Sequence, residues 1–275
     1  MNTKKNIIIT GGTDGIGLAI TKELTKNLDN NIIIIGNNKN KGNKVIDELQ
    51  LKNLKFIKCD LSEKKEIYEL SKKLNELDKI DVLLNNAGAM FSKREVNSDN
   101  IERTFALNHL SYFHLSMYLL HSLERSPNGK VINVASNAHK RYLLDLDDLE
   151  NENDYSGWQS YCRSKLLNIY FTYNFNKKLN TKVTCNCLHP GFVNSNFGNN
   201  NVSMLRFGIN ILKNLLAVTC EKAAETPIDL INNKDLNNIT GKYFFNKKEI
   251  KSSINTYDEE ISDFVWKETL NYHNR

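Results

Sequence analysis

Proline is scarce in this chain, three in 275 residues, and no low-complexity linker, internal repeat or break in composition divides it. One domain spanning residues 1–275 is the expectation. Cysteines are few, odd in number and scattered: Cys59, Cys162, Cys185, Cys187 and Cys220. That excludes a disulfide frame and reads as reduced thiols. Cys185-x-Cys187 lacks a second ligand pair, so no metal site is expected. No apolar run reaches the ~18 residues of a membrane-spanning helix. The first strand starts almost at once, after MNTKK, leaving no room for a signal peptide, and a cytoplasmic location is expected. Basic blocks are missing too. The net charge is only +5, with lysines and carboxylates interspersed, so nucleic-acid binding is not suggested.

What is present is an alternation. Short β-branched runs at 6–10, 31–36, 55–60, 81–88, 130–136 and 182–191 are separated by helical stretches near 15–28, 41–51, 63–77, 104–125 and 158–180. The runs are apolar throughout, as when helices cover both faces of a sheet. Repeated βα units with right-handed crossovers give the predicted fold class: α/β, a doubly wound, mostly parallel Rossmann-type sheet. A ligand belongs at the carboxyl ends of its strands.

The residues at those ends are chemically suggestive. TGGTDGIG (10–17) follows the first strand and opens a helix. Gly11, Gly15 and Gly17 permit a tight turn and close approach of backbone to a pyrophosphate, at the positive end of the helix. Asp60 ends the third run and can accept from an adenine amino group or cap the next helix. Asn85 and Asn86, in NNAG (85–88), can brace the sheet edge and line a cofactor groove. Ser136 ends the fifth run, and HPG (189–191) the sixth.

YCRSK (161–165) sets Tyr161 and Lys165 on one helix face, four residues apart. A phenol titrates near ~10, and lowering that by about three units takes roughly 4 kcal/mol. One cation at ~4 Å supplies about that much at an effective dielectric of ~20, and only ~1 kcal/mol in bulk water. The pair therefore makes a working acid/base only in a site that excludes most water. Taken alone, the spacing also fits a surface helix that carries both residues by chance.

Taken in order, TGGTDGIG, CDL, NNAG, LNH (107–109), VAS (134–136), YCRSK and HPGFVNS (189–195) resemble the motif series of the short-chain dehydrogenase/reductase family, single-domain branch, from about residue 6 to 245. VINVASNAHK, SYCRSKLLNIYFTYNFNKKL, VTCNCLHPGFV and TGKYFFNKKEI are similar to its retinol-dehydrogenase-like group, which includes WW-domain oxidoreductase. The resemblance implies hydride transfer between a nicotinamide cofactor and a carbonyl/alcohol pair. Tyr161 would exchange the proton, Lys165 depress its pKa and hold the ribose, Ser136 fix the substrate oxygen, and Asn108 carry a water of a proton relay. His139 and His189 are left as structural. The implied cofactor-binding positions are Gly11, Thr13, Asp14, Gly15, Ile16, Gly17, Asn37, Asn38, Asp60, Leu61, Asn86, Ala87, Gly88, Tyr161, Lys165, Pro190, Gly191, Val193 and Ser195.

After the second strand, Gly36 to Lys41 contains no carboxylate to accept from an adenosine ribose hydroxyl, and lysines are near. NADP is therefore the expected cofactor, with NAD possible. Asn37, where relatives often carry arginine, and Asp14, where NADP-preferring relatives carry a base, count the other way. Residues 197–219 are where the family places a substrate lid. Leu205, Ile209, Leu212 and Leu216 recur there at helical spacing, suiting a lipophilic aldehyde, ketone or alcohol, a core-packed helix or a peripheral membrane contact. The family usually forms homodimers or tetramers, often through the helices near 104–125 and 158–180. The alternative function is a cofactor-binding regulatory or interaction protein with little turnover.

Overall fold

The computed structural model describes residues 4–192 and 218–275. Val193, Ser195 and most of the 197–219 segment lie outside them. In chain order the first half runs β1 (Lys5–Thr10), α1 (Gly15–Leu24), β2 (Asn30–Gly36), α2 (Lys39–Leu49), β3 (Leu54–Lys58), α3 (Lys64–Leu74) and β4 (Val82–Asn85). Then come α4 (Arg103–Phe105), a π-helical turn (Ala106–Leu110), α5 (Ser111–Tyr118), α6 (Leu120–Glu124), β5 (Lys130–Val134), α7 (Gly157–Leu179) and β6 (Thr184–Leu188). The chain ends with α8 (Cys220–Asn232), β7 (Tyr243–Phe245), β8 (Lys248–Ile250) and α9 (Glu259–Asn274).

Eight strands form one sheet in the order β3-β2-β1-β4-β5-β6-β7-β8. All neighbours are parallel except β7 and β8. Strand order reverses at β1 and β4, and the crevice at their carboxyl ends is where an open α/β sheet takes its ligand. The isoleucines of β1 and β2 point alternately into two cores. Ile8, Ile33 and Ile35 meet Phe113, Phe171 and Trp266, while Ile7, Ile9, Ile32 and Ile34 meet Ile20, Leu24 and Ile231. The predicted doubly wound sheet is thus present, with helices on both faces.

The helix expected at 104–125 is broken into segments, and its π-helical turn contains Asn108. The 243–250 hairpin, α8 and α9 were not among the predicted elements. Lys5 Nζ donates to the Ile231 carbonyl at 2.7 Å and Lys130 Nζ to that of Leu230 at 2.9 Å. These two cations satisfy the last turn of α8, at the negative end of the helix.

One face of α5 and α7 is covered by the chain's own α9. Trp266 packs edge-on against Phe113 at 5.2 Å and stacks on Phe171 at 6.1 Å. His109 Nε2 meets Thr269 Oγ1 at 3.0 Å, and His114 Nδ1 meets His273 Nδ1 at 2.8 Å. Burial holds His114 down at about 2 and His273 at about 4, each assisted by neighbouring positive charge. Because the folded pKa values are depressed, their contribution is present above the ordinary ~6.5 and lost as pH falls through about 4. The thermal midpoint should drop as pH falls from 6.5 toward 4, and His114→Phe/His273→Phe should flatten that drop. An unchanged slope in the double variant would contradict this linkage.

Candidate active site

The glycine turn after β1 requires its glycines. Gly11 has φ +67° and Gly15 φ +51°. A Cβ on Gly11 would lie 2.9 Å from the Ala87 Cα, and one on Gly17 would lie 2.1 Å from the Gly11 carbonyl oxygen. Asp14 caps α1 by accepting from the Gly15 amide at 2.8 Å. The Asn86 side chain donates to the Thr10 carbonyl at 2.9 Å, and Thr10 Oγ1 accepts from the Asn86 and Ala87 amides at 2.8 and 3.0 Å. Asn85 reaches Asn133 Oδ1 at 2.9 Å within the sheet. The asparagines therefore brace the crevice as expected. The tight turn at a helix N-terminus fits the pyrophosphate of a dinucleotide, which Gly11, Thr13, Gly15, Ile16 and Gly17 would hold.

At the rim, Asp60 Oδ1 accepts from the Ser62 amide and hydroxyl at 2.9 and 2.7 Å, and Oδ2 lies 3.6 Å from Arg103. Asp60 thus serves as a local cap and ion-pair partner. The following Leu61 is buried in the core. Asn37 is exposed beyond β2, and Asn38 caps α2 by accepting from the Lys41 amide at 3.0 Å. Lys41 Nζ reaches back to Asp14 Oδ2 at 2.6 Å.

Three residues of α7 form a stripe at i, i+3 and i+7: Trp158, Tyr161 and Lys165. Lys165 is buried, Tyr161 half-buried and Trp158 exposed, so the stripe runs from the floor of the crevice to its mouth. The Tyr161 hydroxyl lies beside the Ser136 side chain, whose hydroxyl favours the ionised phenol. Ser136 Oγ also accepts from the Ala138 amide at 3.1 Å, so it both caps the turn over Asn137–Arg141 and meets Tyr161. His139 donates through Nδ1 to the Ser136 carbonyl at 2.6 Å and accepts at Nε2 from the Ser253 amide at 3.1 Å. His189 stacks on Phe245 at 4.1 Å. Both histidines are held in structural contacts.

Lys165 differs from the sequence expectation. Its ammonium donates to the Val134 carbonyl at 2.9 Å and lies 5.7 Å from the Tyr161 ring centre. Burial pulls the Lys165 pKa down to about 7. Burial also pushes the Tyr161 phenol up to about 12, against the lowering effect of the Ser136 hydroxyl. Desolvation of both groups in this crevice therefore leaves the ammonium, not the phenol, as the first to lose a proton. The expected depressed phenol is not what these residues produce by themselves.

Asn108 Oδ1 accepts from the Ala89 amide at 2.9 Å, while Nδ2 donates to the Ala89 carbonyl at 2.9 Å and Ser164 Oγ at 3.0 Å. It braces the loop after β4 against α7. A Cβ on Gly88 would sit 3.2 Å from Asn108 Oδ1 and 3.4 Å from Lys165 Nζ. This glycine lets the asparagine and the lysine share one corner. Pro190 and Gly191 close the end of β6.

Sequence reasoning missed Thr10 and Tyr112, whose hydroxyl donates to the Ala87 carbonyl at 2.9 Å. Tyr112 stands four residues after Asn108, a helical spacing that was open to inspection. It also missed Arg163 and Glu102, a wholly buried ion pair at 3.1 Å. Nothing in the sequence separates these two from surface charges.

The family model for short chain dehydrogenase matches residues 5–205. Human polyprenol dehydrogenase is 34% identical over 272 residues, covering 94% of this chain and 82% of that protein. Human retinol dehydrogenase 13 is 31% identical over 276 residues, covering 96% and 83%. Among solved structures, an uncharacterized protein from Mycobacterium Paratuberculosis superposes with TM-score 0.79 at 20% identity, covering 99% of this chain and 94% of that one. Actinorhodin polyketide ketoreductase, solved as a variant with NADPH, gives 0.68 at 21% identity, covering 89% and 96%. The chain belongs to the short chain dehydrogenase family, in its retinol-dehydrogenase-like group, and is an oxidoreductase of alcohols and carbonyls.

Proposed function

We propose that this chain is an NADP(H)-dependent oxidoreductase that interconverts a lipophilic carbonyl and its alcohol, with Tyr161 as the acid/base. The observation that carries this reading is the placement of the Tyr161 hydroxyl beside Ser136, with Lys165 one turn deeper on the same helix face. When bound, the nicotinamide cofactor supplies or accepts the hydride. Ser136 holds the substrate oxygen beside the Tyr161 hydroxyl, which gives its proton in reduction and takes it back in oxidation. Lys165 sets the charge of that corner, and Asn108 and Gly88 fix the ammonium's position.

NADP is favoured by the surroundings of Asn37. Asp14 bears against it in the sequence, but Lys41 neutralises that carboxylate at 2.6 Å. Asn37, Asn38, Lys39 and Asn40 line a hollow at the start of α2, where the Lys39 cation and the positive end of the helix suit a 2′-phosphate. The lipophilic substrate is supported by the relatives' named activities and by aromatic residues, Trp158 and Phe192, exposed near the crevice.

Binding should be read from the fluorescence of NADPH and NADH, and turnover from a panel of aldehydes, ketones and alcohols with both cofactors. Lys41→Glu should weaken NADPH about tenfold or more and leave NADH nearly unchanged. Equal losses for both would remove Lys41 from phosphate recognition. Binding without turnover on any compound would favour a regulatory protein of the same fold.

A further inference from the structure

Trp158 has so far been placed only as the outer, exposed member of the α7 stripe. Its indole is 52% exposed, yet it stacks on the Tyr161 ring, with centroids 6.1 Å apart and planes 30° from parallel. One turn before Tyr161 in α7, it continues the Lys165–Tyr161 stripe outward. The start of α7 is held in place: a Cβ on Gly157 would lie 2.1 Å from the Phe91 carbonyl oxygen, and the Tyr155 hydroxyl donates to that same carbonyl at 2.9 Å. Ser156 caps the helix through the Gln159 amide. The indole thus rides on a fixed helix start, beside the phenol where the reacting carbon must sit.

We propose that Trp158 is a specificity-determining residue, whose free indole face carries a flat, conjugated group attached directly to the reacting carbon. The inference rests on the oxidoreductase reading of Tyr161. An atom bound to the Tyr161 and Ser136 hydroxyls sits at the middle of the stripe, above Lys165, so a substituent directed toward the crevice mouth passes over the next turn outward, where Trp158 is. A planar π system offset-stacks on an indole, an arrangement worth about a three- to tenfold preference. A saturated ring of equal size gains only apolar contact.

The test compares benzaldehyde with cyclohexanecarbaldehyde in wild type, Trp158→Ala and Trp158→Phe. Wild type should favour benzaldehyde in kcat/KM, Trp158→Ala should lose that advantage about three- to tenfold, and Trp158→Phe should keep most of it. An equal change for both aldehydes, or none, overturns the proposal. A second readout needs no turnover. The chain has two tryptophans, the other being the buried Trp266, so Trp266→Phe leaves Trp158 as sole reporter. With NADP present, benzamide should quench it at lower concentration than cyclohexanecarboxamide. Equal quenching, or none, also overturns the assignment. If neither aldehyde turns over but benzamide quenches selectively, the catalytic reading fails and the aromatic platform stands.

Discussion

Tyr161→Phe is expected to lower turnover about 10²–10⁴-fold, the range for loss of a positioned acid/base, while NADPH affinity changes little. The ring stays to stack on Trp158, and only the hydroxyl beside Ser136 is lost. The same corner predicts the pH behaviour. Burial sets the first proton loss of the Tyr161–Lys165 pair near pH 7, from the ammonium. Alcohol oxidation needs a deprotonated pair, so its kcat/KM should rise with pH through about 7. Carbonyl reduction draws its proton from the Tyr161 phenol, which burial keeps protonated well beyond that range, so its kcat/KM should stay level through about 7. Breaks of the same sign in both directions would show that a different group titrates. Turnover within tenfold of wild type in Tyr161→Phe would take the proton away from this residue.

Arg163→Met is expected to cost about 3–5 kcal/mol, the usual loss on breaking a buried ion pair from one side. Arg163 and Glu102 are both fully buried, with Nη2 and Oε2 3.1 Å apart. Glu102 also accepts from the Thr104 and Phe105 amides at 2.7 and 2.8 Å, starting α4 just ahead of the Asn108 turn. Without the guanidinium this carboxylate stays desolvated among neutral donors. Arg163 Nε and Nη1 lack hydrogen-bond partners among the described residues, so the cation is itself poorly compensated. Glu102→Gln/Arg163→Met should therefore recover most of the loss, because the amide oxygen still caps α4 and no charge is left inside. Urea midpoints of the two variants decide the matter. A single variant within about 1 kcal/mol of wild type, below the range for a broken buried pair, would mean that water reaches Glu102.

The sheet and the site were legible for different reasons. Runs such as NIIIT and NIIII have no polar alternation, so burial on both faces follows from the residues alone. Gly11, Ser136, Tyr161 and Lys165 each stand at a strand end or on one helix face, where local spacing is visible, but the roles expected of them came from the resemblance to the family's motif series. The β7–β8 hairpin was not read because its strands are three residues each and β8 is exposed or half-buried throughout. The charge state of Lys165 was not legible either. It depends on the Val134 carbonyl and on burial, neither of which spacing reveals. Asp14 read as an isolated carboxylate until the fold brought Lys41, 27 residues away, against it.

The docking of α9 bears on how this protein responds to dilution. Where a face is sealed by a second molecule, its protection follows mass action and fades as the concentration falls. Here the seal over Phe113 and Phe171 is tethered to what it protects, at an effective concentration that no buffer change alters. The integrity of that core should be the same at nanomolar as at micromolar protein.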